Sequence, residues 1–199
     1  MTHVHVRRRT RCDEHATRAN ALPATILAWA LALPCLALGP TDAYARQQQQ
    51  PPPPVCQTNS EFRQFDFWIG EWTVTNSANG QVAGENRIES RESGCVLVEH
   101  WTASGSTGMS MNYYDSITGK WRQIWVASNY SIDMAGGLNA DGAMVLEGQL
   151  HNYRQGQALD FRGTWTPNPD GSVRQLFEQK DPQTGEWNVW FDGRYVRKQ

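Results

Sequence analysis

The sequence has little charge and almost no clustering of charge. Its 199 residues include 18 Lys and Arg and 20 Asp and Glu, for a formal net charge of −2. The one basic cluster, Arg7–Arg9 with Arg11, lies near the N-terminus, and no basic run follows residue 45. Surfaces that bind nucleic acids concentrate Lys and Arg. The composition therefore argues against a nucleic acid as a partner.

Sequence patterns of several enzyme classes are also missing. There is no G-x-S-x-G elbow for nucleophilic catalysis, and no Gly-rich loop leads from a strand into a helix to hold a phosphate. After residue 45 the histidines are His100 and His151, without the spacing of a zinc site. A haem site using one of them stays open as an alternative. We predict no metal and no cofactor, and the missing patterns favour a protein that is not an enzyme.

The first 45 residues are typical of a secretory signal. Basic residues precede the nearly unbroken apolar stretch 21–38, and Ala43-Tyr44-Ala45 offers the small-x-small pattern that a signal peptidase accepts. We predict a signal peptide over 1–45 and a periplasmic or secreted protein without a stable membrane span after cleavage. The alternative is a transmembrane anchor, but the stretch is close to the lower length limit and Pro34 interrupts it.

Cysteine is scarce in the remaining chain. Of four cysteines, Cys56 and Cys95 lie after residue 45. A pair of cysteines in an oxidising compartment favours a disulfide, here between the N-terminal segment and the folded domain. Such a bond would stabilise the protein by roughly 4 kcal/mol in the chain-entropy model. The alternative is two unpaired buried thiols.

The chain from residue 46 divides into a spacer and one domain. Residues 46–58 are rich in Gln and Pro, cannot bury a core, and are predicted to be a disordered spacer. The domain is predicted over 59–199. It should open with a short helix through 61–67, capped by Asn59 or Ser60, that closes the end of a barrel. The apolar face of this helix would consist of Phe62, Phe65 and Trp68.

From Glu71 onward the apolar period changes to two, which is typical of β-strands. Breaks that contain glycine recur at about the spacing of an all-β barrel or sandwich. Short connections favour an antiparallel up-and-down meander, which avoids exposed edges by closing on itself. The predicted strands, about ten, are 71–78, 81–91, 95–104, 108–115, 120–126, 129–135, 142–151, 157–166, 172–180 and 186–197.

Two copies of the motif D-x-x-T-G-x-W, Asp115–Trp121 and Asp181–Trp187, indicate tight hairpins. The Asp side chain can accept hydrogen bonds from its own turn, and the Gly supplies the positive φ. If Asp115 opposes Lys120, one face of the first hairpin carries Ser110, Asn112, Tyr114, Trp121, Gln123 and Trp125. The other face carries Met109, Met111, Tyr113, Arg122, Ile124 and Val126. Both faces hold apolar groups, so the pattern alone does not decide which face points inward.

Several segments resemble those of a known family. They are Phe65–Trp72, Gly94–Trp101, Ser110–Asp115, Trp121–Val126 and Phe191–Tyr195. They are similar to an uncharacterised family of exported bacterial proteins with a lipocalin-like (calycin) barrel and an opening FDFW-x-G-x-W-type motif. Gly70-Glu71-Trp72 resembles the lipocalin G-x-W motif. The resemblance covers roughly residues 60–198 and implies a fold without catalytic residues, because the family has no established biochemical role.

The resemblance also implies a kind of site. Calycin interiors often hold a small hydrophobic or amphipathic molecule, which favours the face with Trp, Asn and Gln as the interior of the barrel. We expect the protein to be a monomer or a homodimer. The implied ligand-binding residues are Glu99, Trp101, Asn112, Tyr114, Trp121, Gln123, Trp125, Gln175 and Arg162.

Two other functions stay open. An inward Glu99 in an apolar barrel would have a raised pKa and could make the cavity an enzyme for proton transfer. A structural or interaction module would instead have a filled barrel with its amides outside. It would also carry an outer apolar patch of Met109, Met111 and Ile124, which would predict dimerisation.

Overall fold

The computed structural model describes residues 51–199, an all-β domain with short helical segments at its start. The predicted signal over 1–45 and the first part of the predicted spacer lie outside the described residues. None of the helices between residues 51 and 199 has the length and apolar character needed to cross a membrane.

Ten antiparallel strands close into an up-and-down barrel, as predicted. Each strand pairs with the next one in the chain, and β1 pairs with β10, with Trp72 opposite Arg197. The strands are β1 (Gly70–Asn76), β2 (Val82–Arg91), β3 (Val96–Ala103), β4 (Ser106–Asp115), β5 (Lys120–Ala127), β6 (Tyr130–Leu138), β7 (Met144–Asn152), β8 (Gln157–Pro167), β9 (Val173–Lys180) and β10 (Trp187–Arg197).

The hairpin motif sets the register between β4 and β5. Asp115 Oδ1 accepts hydrogen bonds from the backbone N–H groups of Ile117 and Thr118, and Gly119 has a φ of 67°. Asp115 opposes Lys120, and each face of the hairpin carries the residues predicted for it. The second motif forms the same turn between β9 and β10, because Asp181 accepts from the two corresponding backbone N–H groups. The side chain of Asp and the freedom of Gly therefore fix both turns.

The segment before β1, residues 55–68, closes one end of the barrel, and we call it the plug. It contains an α-helix, α1 (Val55–Thr58), and two 3-10 turns, Ser60–Arg63 and Asp66–Trp68. The side chain of Asn59 caps the first of these turns, as predicted, by accepting from the N–H of Glu61 at 3.0 Å.

The plug differs from the single helix predicted over 61–67. Its buried aromatics, Phe62, Phe65 and Trp68, are three residues apart, and three residues per turn is the period of a 3-10 helix. The aromatic spacing therefore agrees with the 3-10 turns better than with an α-helix. In addition, α1 lies inside the segment 46–58 that was predicted to be a spacer, so helical structure begins four residues before position 59.

The predicted disulfide between Cys56 and Cys95 is confirmed. It joins α1 to the turn between β2 and β3. The side chain of Arg63 donates a further hydrogen bond to the carbonyl of Gly94 in the same turn. The plug is therefore attached to the barrel covalently as well as by its aromatic side chains.

The meander places alternate turns at opposite ends of the barrel. The β2–β3 and β4–β5 turns lie at the plugged end, where Trp121 donates through Nε1 to the carbonyl of Glu61 at 3.2 Å. The β3–β4, β5–β6 and β9–β10 turns lie at the other end, which the plug does not reach.

Candidate functional site

The face that carries Trp, Asn and Gln points into the barrel. Asn112 is 0 % exposed and Gln123 is 1 % exposed, whereas Met111 and Ile124 on the opposite face are 51 % and 42 % exposed. The interior thus has the orientation that the family resemblance implied. The amides do not lie outside, as the structural alternative required, although the outer apolar patch of that alternative is present.

Buried polar side chains form a continuous hydrogen-bonded row along β5, β4 and β3, which we call the polar belt. Gln123 donates to Asn112 at 2.7 Å, and Asn112 donates to Ser110 at 2.8 Å. Ser110 in turn donates to Glu99 Oε2 at 2.6 Å. Asn112 also donates to the carbonyl of Leu97 at 3.2 Å. From Gln123 through Asn112 to Ser110, each hydrogen bond of the row is donated in the direction of Glu99, and the last one is accepted by its carboxyl group.

A second branch reaches Glu99 from β2, the neighbour of β3 on the side away from β4. Asn86 on β2 donates to Glu99 Oε1 at 2.7 Å and to the hydroxyl of Tyr195 at 3.3 Å. Tyr195 on β10 donates to the side-chain oxygen of Gln175 on β9. Six of the ten strands therefore contribute to one polar network with Glu99 at its centre.

Burial raises the pKa of Glu99 to about 7, from an ordinary value of 4.5. The hydrogen bonds from Ser110 and Asn86 act in the opposite direction, because they favour the carboxylate. Burial also raises the pKa of Tyr195 well above its usual value, and the nearby charge of Glu99 adds to that rise. Near neutral pH the site holds a carboxyl group that can be ionised or protonated, beside a phenol that stays neutral.

The remaining strands give the interior an apolar side. The side chains that β6, β7 and β8 turn inward are hydrocarbon, thioether or aromatic. The buried ones are Ile132, Met134, Met144, Leu146, Leu150, Phe161 and Trp165. On this side the hydrogen-bonding groups are few, such as the hydroxyl of Tyr130 on β6 and the indole N–H of Trp165.

A cavity of about 200 Å³ lies in the half of the barrel away from the plug. Glu99, Gln175 and Tyr195 form its polar floor, and Ser106 lies at its outer edge. Its walls are aromatic apart from Ile132. The aromatic residues are Trp101, Trp125, Tyr130, Phe177, Trp190 and Phe191. Basic side chains are absent from this lining, so its charge comes from Glu99.

Two glycines make room for the indoles of the cavity wall. A Cβ at Gly84 on β2 would lie 2.7 Å from the six-membered ring of Trp101. A Cβ at Gly108 on β4 would overlap the ring of Trp125. Each indole thus lies over a glycine of the preceding strand, and a side chain at either glycine would push an indole toward the cavity.

The nine residues implied by the family resemblance fall into four places. Glu99, Trp101, Trp125 and Gln175 line the cavity. Asn112 and Gln123 lie behind Glu99, where they complete its hydrogen bonds. Tyr114 and Trp121 instead pack against the plug, with the ring of Tyr114 at 5.2 Å from that of Phe62.

The ninth residue, Arg162, does not line the interior, and its prediction was wrong. On β8 the inward positions are Phe161, Gly163 and Trp165. Arg162 therefore points outward, where its guanidinium pairs with Glu178 at 2.8 Å and lies 4.5 Å from the centre of the Trp187 ring.

Several site residues were missed by the sequence analysis. Asn86 alternates with Ile88 on β2, so period-two counting could have placed it inside. The aromatics of β10 were harder to place, because the register with β9 shifts between Val189 and Phe191. Such a bulge interrupts the alternation of inward and outward side chains, on which the prediction of strand faces depends.

No group of three or more His, Cys, Asp or Glu side chains within residues 51–199 is arranged to hold a metal ion. Comparison of the sequence with models of protein families and with curated proteins gave no match. The functional interpretation therefore rests on the geometry of the barrel and its cavity.

Proposed function

We propose that the protein is an exported, lipocalin-like carrier that binds a small, partly hydrophobic molecule in the cavity between Glu99 and the open end of the barrel. The observation that carries this proposal is a cavity of about 200 Å³ with aromatic walls and a polar floor. Small-molecule sites commonly combine apolar walls with a few placed polar groups. A dry cavity of about 150 Å³ already accepts benzene, so this volume suits a ligand with one ring and a short chain.

The disulfide supports the exported part of the proposal. Disulfides persist in oxidising compartments and are rare in the cytosol. The plug supports the carrier part, because it leaves one end of the barrel for entry and exit.

The test is isothermal titration of the purified protein with a neutral probe, 2-phenylethanol. Ser106→Trp places a bulky ring at the edge of the cavity, and Ser116→Trp places the same ring on the exposed β4–β5 turn at the plugged end. We expect saturable binding that Ser106→Trp weakens at least about tenfold and Ser116→Trp leaves unchanged. Absence of binding, or equal loss in both variants, would refute the cavity as the site.

Enzyme function is a second candidate, favoured by the pKa of Glu99. A carboxyl group with a pKa of about 7 at the floor of a cavity is suited to act as a general acid or base. Glu99→Gln separates the two functions. A catalyst would lose turnover while still binding neutral molecules, whereas a carrier has no turnover to lose.

A further inference from the structure

We propose that the ligand is a small aromatic molecule bearing a protonated amine, with its ammonium group paired to Glu99 and its ring held among the indoles. This deepens the binding function proposed above and rests on it. The chemical class follows from the charge of the floor, the character of the walls and the size of the cavity.

The carboxyl group of Glu99 lacks a cation. It is 2 % exposed, and its two oxygens accept one hydrogen bond each, from Asn86 and Ser110. A carboxylate has room for about four such bonds, so each oxygen retains acceptor capacity. The ion pairs found among residues 51–199 all involve other carboxylates. Because buried carboxylates usually have a charged partner, an ammonium group from the cavity would complete the site.

The aromatic walls of the cavity also favour a positively charged ligand. The faces of aromatic rings attract cations, and indole does so most strongly. Trp101, Trp125 and Trp190 line the cavity together with Glu99, and no Lys, Arg or His does. An anionic ligand such as a fatty acid would meet a carboxylate and ring faces without a compensating positive charge. The cavity is therefore suited to a cation with an apolar body.

The matched probes are 2-phenylethylamine, the nearly isosteric 2-phenylethanol, and the anion phenylacetate. At pH 8 we expect the amine to bind at least about tenfold more tightly than the alcohol, because a charge-assisted hydrogen bond replaces a neutral one. Phenylacetate should bind more weakly than the alcohol. Glu99→Gln should bring the affinities of amine and alcohol together, and Glu147→Gln, which removes an exposed carboxylate from β7, should preserve the preference.

A pH series on the unaltered protein tests the same pairing without a variant. The other titratable groups that face Glu99 are the hydroxyls of Tyr195 on β10 and Tyr130 on β6, and burial raises the pKa of both. They stay neutral between pH 5 and pH 8, so Glu99 dominates the response. Affinity for the amine should fall about tenfold per pH unit below 7, approaching a hundredfold loss at pH 5. Affinity for the alcohol should change little.

The outcomes separate the two proposals. If the alcohol binds and the amine binds no more tightly, the amine proposal is overturned and the carrier function stands. If none of the probes binds, both fail. If the amine preference survives in a folded Glu99→Gln protein, or does not change between pH 8 and pH 5, Glu99 is not the partner of the ammonium group and the proposal is wrong.

Discussion

Replacing Glu99 by Gln is expected to remove a loss of stability that the folded protein undergoes as the pH rises through neutrality. The folded protein holds the proton of Glu99 more tightly than the unfolded chain does, because burial raises the pKa from 4.5 to about 7. The stability from this group is fully present below pH 4.5 and is lost as the pH rises through 7. Glutamine cannot ionise and escapes that loss.

The magnitude follows from the two pKa values. Each tenfold difference in proton affinity corresponds to about 1.4 kcal/mol, so ionisation of Glu99 removes about 3 kcal/mol of unfolding free energy in total. Roughly 2–3 kcal/mol of this falls between pH 5 and pH 8. The difference in unfolding free energy between the Gln variant and the unaltered protein should therefore rise by that amount from pH 5 to pH 8. Contributions from other carboxyl groups cancel in the difference.

The assay is urea unfolding at a series of pH values, followed by tryptophan fluorescence with the disulfide intact. Equal slopes against urea would show that both proteins unfold the same surface. Glu147→Gln, at an exposed position on β7, provides the control and should leave the pH dependence unchanged. If the Glu99→Gln protein and the unaltered protein kept a constant difference from pH 5 to pH 8, Glu99 would have an ordinary pKa. The description of Glu99 as a buried carboxyl group with a raised pKa would then be refuted.

Two further predictions concern packing and the disulfide. Gly108→Ala should lower the unfolding free energy by about 1–3 kcal/mol and weaken binding of 2-phenylethanol, because the new methyl group displaces Trp125. Gly137→Ala, which has open space around its Cβ, should change stability by less than about 0.5 kcal/mol, so equal losses would contradict this account. Replacing Cys56 and Cys95 together by Ala should lower the unfolding free energy by about 4 kcal/mol, because the bond closes a loop across a sequence separation of 39. Urea unfolding measures this loss, and one below about 1 kcal/mol would contradict it.

The sequence was sufficient to predict the strand order and one full register, because turn chemistry is local. Asp115 and Gly119 specify their hairpin through contacts within a few residues of each other. The inward face was not predictable from alternation alone, since each face of that hairpin has apolar members. It depends on partners in other strands, such as Glu99 on β3 for Ser110, and some of these partners are far along the chain, such as Tyr195 for Asn86.

The outward position of Arg162 was predictable from alternation. Leu159, Phe161 and Trp165 in β8 share one phase, which leaves Arg162 on the opposite face. The cavity could not be predicted from the sequence, because it depends on how side chains pack in three dimensions. It results from how far the indoles of Trp101 and Trp125 extend over two glycines, and no pattern along the sequence reports that distance.

The pairing of β1 with β10 has a consequence for how the chain folds during its synthesis. Every other strand pair joins neighbours in the sequence and can form as the polypeptide is made, but the final seam needs the last strand. Until then, two free edges persist at which another nascent molecule could add by strand pairing. A chain shortened before Trp187 would keep those edges permanently, and its expected fate is aggregation rather than a smaller barrel.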